Sequence, residues 1–572
     1  MQSTFSNTKS SWHPLVKGIA ILSAAALTTS IPAIAQDHDD SHIHFFRGNL
    51  IVSRSVYDNN ANNVKVGAQL PPNCANTVGP CVAATNDGTF PYVFNNALVD
   101  GSFGITSKLY LDQITPGGFL LDSLEIPNSS MHNIRSESNQ LVTSFSSKSE
   151  GALNLSTDGK FLTFIDYVAP VNTIEVSNSN TPGVIDPTNP VGVAYYRAAV
   201  TLNRNGKFTF TETNAYSGNN GRAAILNNTN GANFFYTAGN AGNGANPQPN
   251  GVILGAGAQI IDPSTAPESF QTPGTPTPVA SFNVTELGDK ADKIGKDDNF
   301  RGMTIFNNVL YYTKGSGGNG VNTVYFVDTT GTACPKGVGI PAPGAPLPIS
   351  PLAFDPTKLQ TSGLPNNMCI LAGFPTGLAK GTNVAFPFGI WFANADTLYV
   401  ADEGDGSGGA TLYTHAAAQT TAGIQKWIFN STTHTWSLAY TLQTGLELGV
   451  PYTVNKYPTG TNTATKLPWS PATDGIRNIT GKVDDDGNAT IYGITSTVSG
   501  SGDQGADPNR LVAVTDVLSN TDATKAATEK FTIVRKAGFA EVLRGVSFAP
   551  SKGDDDDRDD HDKQGEDHGD HD

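Results

Sequence analysis

Charged side chains are scarce in this sequence. Asp, Glu, Lys and Arg make up 15% of its 572 residues, against about a quarter in an ordinary globular domain. Apolar residues show no sustained 3.6-residue stripe, so long amphipathic helices are excluded. Long hydrophobic runs are missing too. The run from Gly18 to Leu27 ends in Thr28, Thr29, Ser30 and Pro32, short of the roughly 20 residues that cross a bilayer, and no membrane span is expected. Histidine is nearly absent between residues 47 and 550, where only His132, His415 and His434 occur. No GxSxG elbow, HExxH helix, Walker A loop or strand-to-helix GxGxxG is present, so the common hydrolase, zincin and nucleotide-binding signatures are missing. No basic face suits nucleic acid.

What is abundant is turn chemistry. Sixty glycines and 35 prolines punctuate short runs rich in β-branched and aromatic residues, which predicts an all-β fold. The stretch RGMTIFNNVLYYTKGSGGNGVNTVYFVD, residues 301–328, shows the plan most cleanly. Two short runs flank Asn307-Asn308, a hairpin signal because Asn tolerates positive φ. Comparable hairpins begin near Glu150, Arg222, Gly389 and Arg477, and Arg544–Pro550 opens a unit whose second strand is supplied by Asn49–Tyr57. Such pairing of the two ends closes a ring and protects its edges. The expected fold is a β-propeller of six blades, or seven if residues 58–105 or 329–385 hold another. An array of β-sandwiches is the plainer alternative. Spacing between units far exceeds the roughly 40–50 residues of a bare blade, so long loops are inserted at 58–105 and 329–385.

The ends are distinct from this body. Residues 1–35 carry Lys9 and Lys17, an apolar run and Ala33-Ile34-Ala35, the grammar of a cleaved signal peptide. Residues 36–46 form a polar His/Asp-rich lead, 47–550 the single propeller domain, and 551–572 a disordered acidic tail; residues 553–572 hold eleven acids and two bases. Export makes the protein secreted or periplasmic. The four cysteines then pair locally as disulfides Cys74–Cys81 and Cys334–Cys369; zinc is disfavoured because no CxxC or nearby histidine accompanies them. A monomer is expected.

Three glycine-rich loops follow the second strand of successive units: YYTKGSGGNG (311–320), YVADEGDGSGG (399–409) and YGITSTVSGSGDQGAD (492–507). On a propeller such loops emerge at one mouth of the central channel, and rigidly held loops are where sites sit. They nominate Lys314, Ser316 and Ser501 as ligand-binding residues. Arg222, Arg301, Arg477 and Arg544 each open an inner strand and would ring the channel with guanidinium groups suited to carboxylate or phosphate; pairing to backbone carbonyls between blades is the plain alternative. Asp402, Glu403, Asp405, Asp503 and Asp507 supply hard oxygen donors that would take Ca²⁺ as cofactor, unless they are merely solvated loop acids. Asp484-Asp485-Asp486-Gly487-Asn488 resembles a calcium loop but lies where a hairpin turn is needed. In the tails, His38, His42, His44, His561, His568 and His571 would chelate transition metals weakly.

The strand and loop TLYVADEGDG, followed by GIQKWIFN, resembles blades of NHL or SMP-30/lactonase-like propellers, and the whole chain looks like exported bacterial β-propeller proteins. The resemblance implies a propeller fold but no activity, and of the lactonase metal ligands only Asp402 has a counterpart. Two functions follow as expectations. One is a binding scaffold for a small molecule or extracellular protein at the Gly-Ser-Gly loop face; the other is a Ca²⁺-dependent lactonase- or phytase-like hydrolase. Metal scavenging by the tails is a third.

Overall fold

The computed structural model describes residues 43–72, 81–98, 104–127, 141–176, 195–216, 219–240, 257–264, 268–269, 278–284, 299–315, 320–330, 332–334, 336–342, 347, 366–379, 384–501 and 503–551. All belong to the unit Ile43–Asp572. They form an all-β structure in a β-propeller arrangement, with only two short α-helices, Leu412–Ala417 and Ala523–Ala526, among the described residues. No helix among them is long and apolar enough to cross a membrane.

Two sheets are four-stranded antiparallel meanders, running from Pro387–Asn394 to Thr435–Leu442 and from Ala472–Val483 to Thr532–Lys536. A nine-stranded sheet joins residues 221–284 to residues 303–371, and a ten-stranded sheet joins 106–213 to Leu50–Val56, Glu541–Phe548 and Glu268–Ser269. In the latter, Leu50–Val56 pairs antiparallel with Glu541–Phe548, Leu50 facing Phe548 and Val56 facing Glu541. The Asn307-Asn308 hairpin forms with both residues at positive φ, 48° and 59°, and Phe306 opposite Val309. Asp484 Oδ1 accepts N–H bonds from Asp486 and Asn488, making 484–488 a hairpin turn.

The insertions are more structured than composition suggests, because their sparse apolar residues find partners far along the chain. Residues 58–105 contribute a two-stranded ribbon and a 3₁₀ helix, Tyr92–Leu98. Phe90 and Phe94 pack there with Tyr57, Phe145, Tyr457 and Trp469. Within 329–385, the strand Asn366–Leu371 pairs with Thr323–Val327. Cys334–Cys369 ties this insertion together. Cys81 is also disulfide-bonded, while Cys74 lies outside the described residues.

Between sheets the core is strongly aromatic. Phe306 stacks on Phe392 at 4.5 Å and Phe374 on Trp427 at 3.9 Å. One polar knot is fully buried between the two meanders. Lys426 Nζ lies 2.8 Å from Asp516 and donates to Tyr440 Oη and to the carbonyls of Val517, Leu518 and Asn520.

Candidate functional site

Arg301 stands just before the strand Met303–Phe306, its N–H bonded to Thr313 O at 2.8 Å. Glu403 directly follows the strand Thr397–Asp402, and Asp474 and Arg477 lie on the strand Ala472–Val483. Three residues apart, Asp474 and Arg477 would face opposite sides of a regular strand. Register shifts at Thr473/Gly475 and Ile476/Ile479 break that alternation, as bulges do, and both residues line one cavity of about 170 Å³. Gly475 makes the approach possible. A Cβ there would stand 2.5 Å from the Glu403 carbonyl carbon and 2.7 Å from the Gly404 nitrogen, closer than side-chain carbons approach, so only glycine lets these backbones meet.

The cavity gathers groups from all three glycine-rich loops: Gly315 from the first, Glu403 to Gly406 from the second, Ser496, Thr497 and Gln504 from the third. Lys148 and Phe386 complete the wall. Glu403 is the electrostatic centre. Its Oε2 accepts from Arg477 Nε at 3.2 Å and its Oε1 lies 3.9 Å from Arg301 Nη2. Burial alone would raise the Glu403 carboxyl, but Arg301, Arg477 and Lys148 outweigh it and hold the group below its ordinary range.

The guanidinium groups are under-used. Arg301 Nη1 donates to Ser149 Oγ at 2.8 Å, while its buried Nε has no hydrogen-bond partner among the described residues. The Nε bond to Glu403 is the one hydrogen bond the Arg477 guanidinium makes among those residues. Each guanidinium has five N–H donors, so most of this donor capacity is left for whatever fills the cavity. Lys148 Nζ donates to Gln504 Oε1 at 3.0 Å, and Gln504 is itself held by its Nε2 bond to Gly406 O at 2.8 Å. Burial draws the Lys148 ammonium below its ordinary pKa, with Glu403 opposing and Arg477 reinforcing the shift.

In the same cavity, Asp474 accepts from the Gly406 N–H at 2.9 Å and from Gln419 Nε2 at 2.5 Å. Burial nevertheless pushes its carboxyl up to about 7, with Asp405 and Glu403 adding to the effect. Asp405 behaves oppositely: burial is outweighed by the Ser407 N–H and by His415, whose Nε2 lies 2.6 Å away, and its carboxyl is lowered.

Among the sequence-nominated residues, then, Arg301, Arg477, Glu403 and Asp405 share the cavity. Others are engaged elsewhere. Arg222 donates to Phe300 O and Asn299 Oδ1. Arg544 donates to Ser55 Oγ and to the carbonyls of Ser144, Phe145 and Ser147. Of the four guanidinium groups expected round the channel, Arg301 and Arg477 line the cavity, whereas Arg222 and Arg544 are turned to the partners just named. Lys314 is buried against Asn322 Oδ1. Ser501 closes a turn, donating to Asp503 O at 2.9 Å. Ser316 lies outside the described residues.

The five nominated acids do not form a cation cage. Among the described residues no three of them bring carboxylate oxygens within 4.8 Å of one another. Asp402 accepts from the N–H groups of Phe386 and Gly404, Asp503 caps the 3₁₀ turn Gln504–Ala506, and Asp507 accepts from Tyr457 Oη. Folded loops satisfy these acids internally, so their sequence proximity to glycines did not mean shared coordination. The cluster Asp328, Cys334 and Cys369 is built round the disulfide and offers no thiolate. Of the tail histidines, His44 packs on Phe46 and meets Arg204; His38, His42, His561, His568 and His571 lie outside the described residues.

Lys148, Asp474 and Gln504 were not legible as site residues. Lys148 sits in a bland Ser-Ser-Lys-Ser context, and only the register shifts turn Asp474 toward Arg477. The Asp-Gly-x-Arg pattern opening an inner strand was the available clue.

No family model and no curated protein matches this chain, so the NHL and SMP-30 likeness of TLYVADEGDG and GIQKWIFN gains no support from them. Solved structures do match. The GH43 protein BlXynB from Bacillus licheniformis aligns at 11% identity with a TM-score of 0.25, over 72% of this chain and 59% of that one. A point mutant of it aligns at 9%, TM-score 0.25, over 71% and 57%. A mutant of the Synechocystis apocarotenoid oxygenase aligns at 10%, TM-score 0.18, over 78% and 59%. This chain thus spans less than two thirds of each of those structures.

Proposed function

We propose that this protein is an exported six-bladed β-propeller that binds a small carboxylate-bearing molecule in the cavity between Lys148, Arg301 and Arg477. In support of six blades, the ten- and nine-stranded sheets each divide into two meanders, adding to the two separate four-stranded sheets. The strands beginning at residues 154, 221, 303, 387, 472 and 541 also adjoin one another in that order, and the last adjoins the first. The pairing of Leu50–Val56 with Glu541–Phe548 supports closure of the ring by its two ends. The signal-like leader and the Cys334–Cys369 disulfide support passage to an oxidising compartment.

The observation that carries the ligand reading is the donor surplus of Arg301 and Arg477. Arg301 Nε is a buried donor without an acceptor among the described residues, which is costly, and a carboxylate offers the paired oxygens that guanidinium groups hold best. The cavity volume, about 170 Å³, equals the liquid volume of about six waters, which suits a ligand of a few carbons. Ser496, Thr497, Asp474 and Gln504 add partners for hydroxyl or carbonyl groups. Calorimetric titration of the mature protein with short hydroxy- and oxo-carboxylates tests the reading. Binding that Arg477→Gln weakens at least tenfold supports it; no binding by any small carboxylate refutes it.

A second reading, a metal-independent propeller hydrolase, is favoured by one observation. Asp474 and Glu403 line the same cavity with shifts of opposite direction, the environment-driven split that assigns acid and base roles. Hydrolysis of glycoside or ester probes lost in Asp474→Asn would support it. Activity unaffected by that substitution would reject it.

A further inference from the structure

Lys148 differs from an ordinary surface lysine in where its amine is held. Among the described residues its Nζ has a single hydrogen-bond acceptor, Gln504 Oε1 at 3.0 Å, and that amide is fixed in turn by Gly406 O. The residue enters the cavity from the loop between Leu141–Ser144 and Asn154–Leu155, and shares it with Glu403, just past one strand end, and with Arg477 on the strand Ala472–Val483. We propose that Lys148 captures a 2-oxo acid as a reversible imine, its carboxylate seated on Arg301 and Arg477. This rests on the carboxylate-binding reading above and names the ligand class.

The chemistry follows from the arrangement. A 2-oxo acid has its electrophilic carbon one bond from the carboxylate carbon. A receptor for it therefore needs an amine and a pair of guanidinium groups in one small volume, which this cavity provides. When neutral, the Lys148 amine donates one N–H to Gln504 and keeps its lone pair for the carbonyl carbon. Nitrogen attacks and gives up one proton as the carbonyl oxygen takes one up, and the carbinolamine forms. A second proton on that hydroxyl lets it leave as water while the nitrogen loses its proton, giving the C=N bond. The amine is thus exchanged for the carbonyl oxygen, one water is released and nothing is oxidised or reduced. Asp474 lines the same cavity and can pass a proton there, because burial pushes its carboxyl up to about 7. Burial, opposed by Glu403 and Asp503 and reinforced by Arg477 and Arg301, also lowers the Lys148 ammonium, and desolvation of this kind activates lysine nucleophiles.

The test uses the full mature protein with pyruvate and, as the analogue that cannot form an imine, lactate. Incubation with pyruvate and cyanoborohydride should give one adduct, heavier by the ligand less one oxygen and mapped by peptide mass to Lys148. Lysines on the surface should label at least tenfold more slowly. Lactate should bind, suppress the labelling and leave no adduct. Lys148→Arg keeps the positive charge and should bind both acids without forming the adduct. Arg477→Gln should slow adduct formation at least tenfold at low pyruvate. Binding of both acids with no Lys148 adduct, or labelling no faster than at surface lysines, overturns the imine and leaves the carboxylate site standing. Binding of neither acid, with no adduct, overturns both.

Discussion

Replacing Glu403 by Gln isolates the electrostatics of the cavity, since it removes one charge while nearly preserving shape. At an effective dielectric of about 20, separations of 3.2 and 3.9 Å correspond to gross attractions of about 5 and 4 kcal/mol. Most of this is offset by the desolvation of the three groups. Breaking a buried pair costs about 3–5 kcal/mol, and a Gln oxygen still accepts from Arg477, so the fold should lose about 3 kcal/mol. Ligand affinity should move the other way. A ligand carboxylate seated about 5 Å from Glu403 feels a repulsion of about 3 kcal/mol at the same dielectric, and solvent in the open cavity screens part of it. Glu403→Gln should therefore lower the thermal midpoint by several degrees without ligand, yet bind lactate at least tenfold more tightly. Differential scanning calorimetry and isothermal titration read the two effects separately. Unchanged or weaker binding in a folded Glu403→Gln protein would refute the reasoning, because Glu403 would then be a ligand contact rather than a competing anion.

Two further outcomes follow from buried charge. Asp402, Asp474 and Asp507 are raised by burial to about 6, 7 and 6, so the folded state holds their protons more tightly than the unfolded chain, and stability falls as pH rises from about 4 toward 7. Each contributes at most about 3–4 kcal/mol; Glu403 and Asp405, which are lowered, lose their stabilisation only at more acid pH. The thermal midpoint should thus decline between pH 5 and 7.5, and Asp474→Asn should flatten the decline; a midpoint rising across this window contradicts the assignment. Lys426→Met leaves Asp516 buried without its cation and should cost about 3–5 kcal/mol, read as a lower urea midpoint, whereas Lys426→Met with Asp516→Leu should recover part of the loss.

The local hairpins were legible because their signals are local. Asn307-Asn308 needed only two residues able to adopt positive φ, and Asp484–Asn488 needed only a short acid to bond its own turn. The strand Asn366–Leu371 was hidden inside a Pro/Gly-rich insertion because its partner, Thr323–Val327, lies far away in sequence. Arg222 and Arg301 open inner strands in much the same way in the sequence, yet one is spent on Phe300 O and the other faces the cavity. Which carbonyls lie nearby is a property of neighbouring strands.

The sequence by itself determined the all-β class, the turn positions, the unit-like repetition and the three glycine-rich loops, since each depends on residues a few positions apart. Only the tertiary structure decided which charges meet. Lys148, Arg301, Glu403, Asp474 and Arg477 span more than three hundred residues, and two register shifts in one strand bring Asp474 and Arg477 to the same wall. Alternation along a strand can be read from spacing, but a bulge depends on the partner strand, and so the cavity exists only once the sheets have packed.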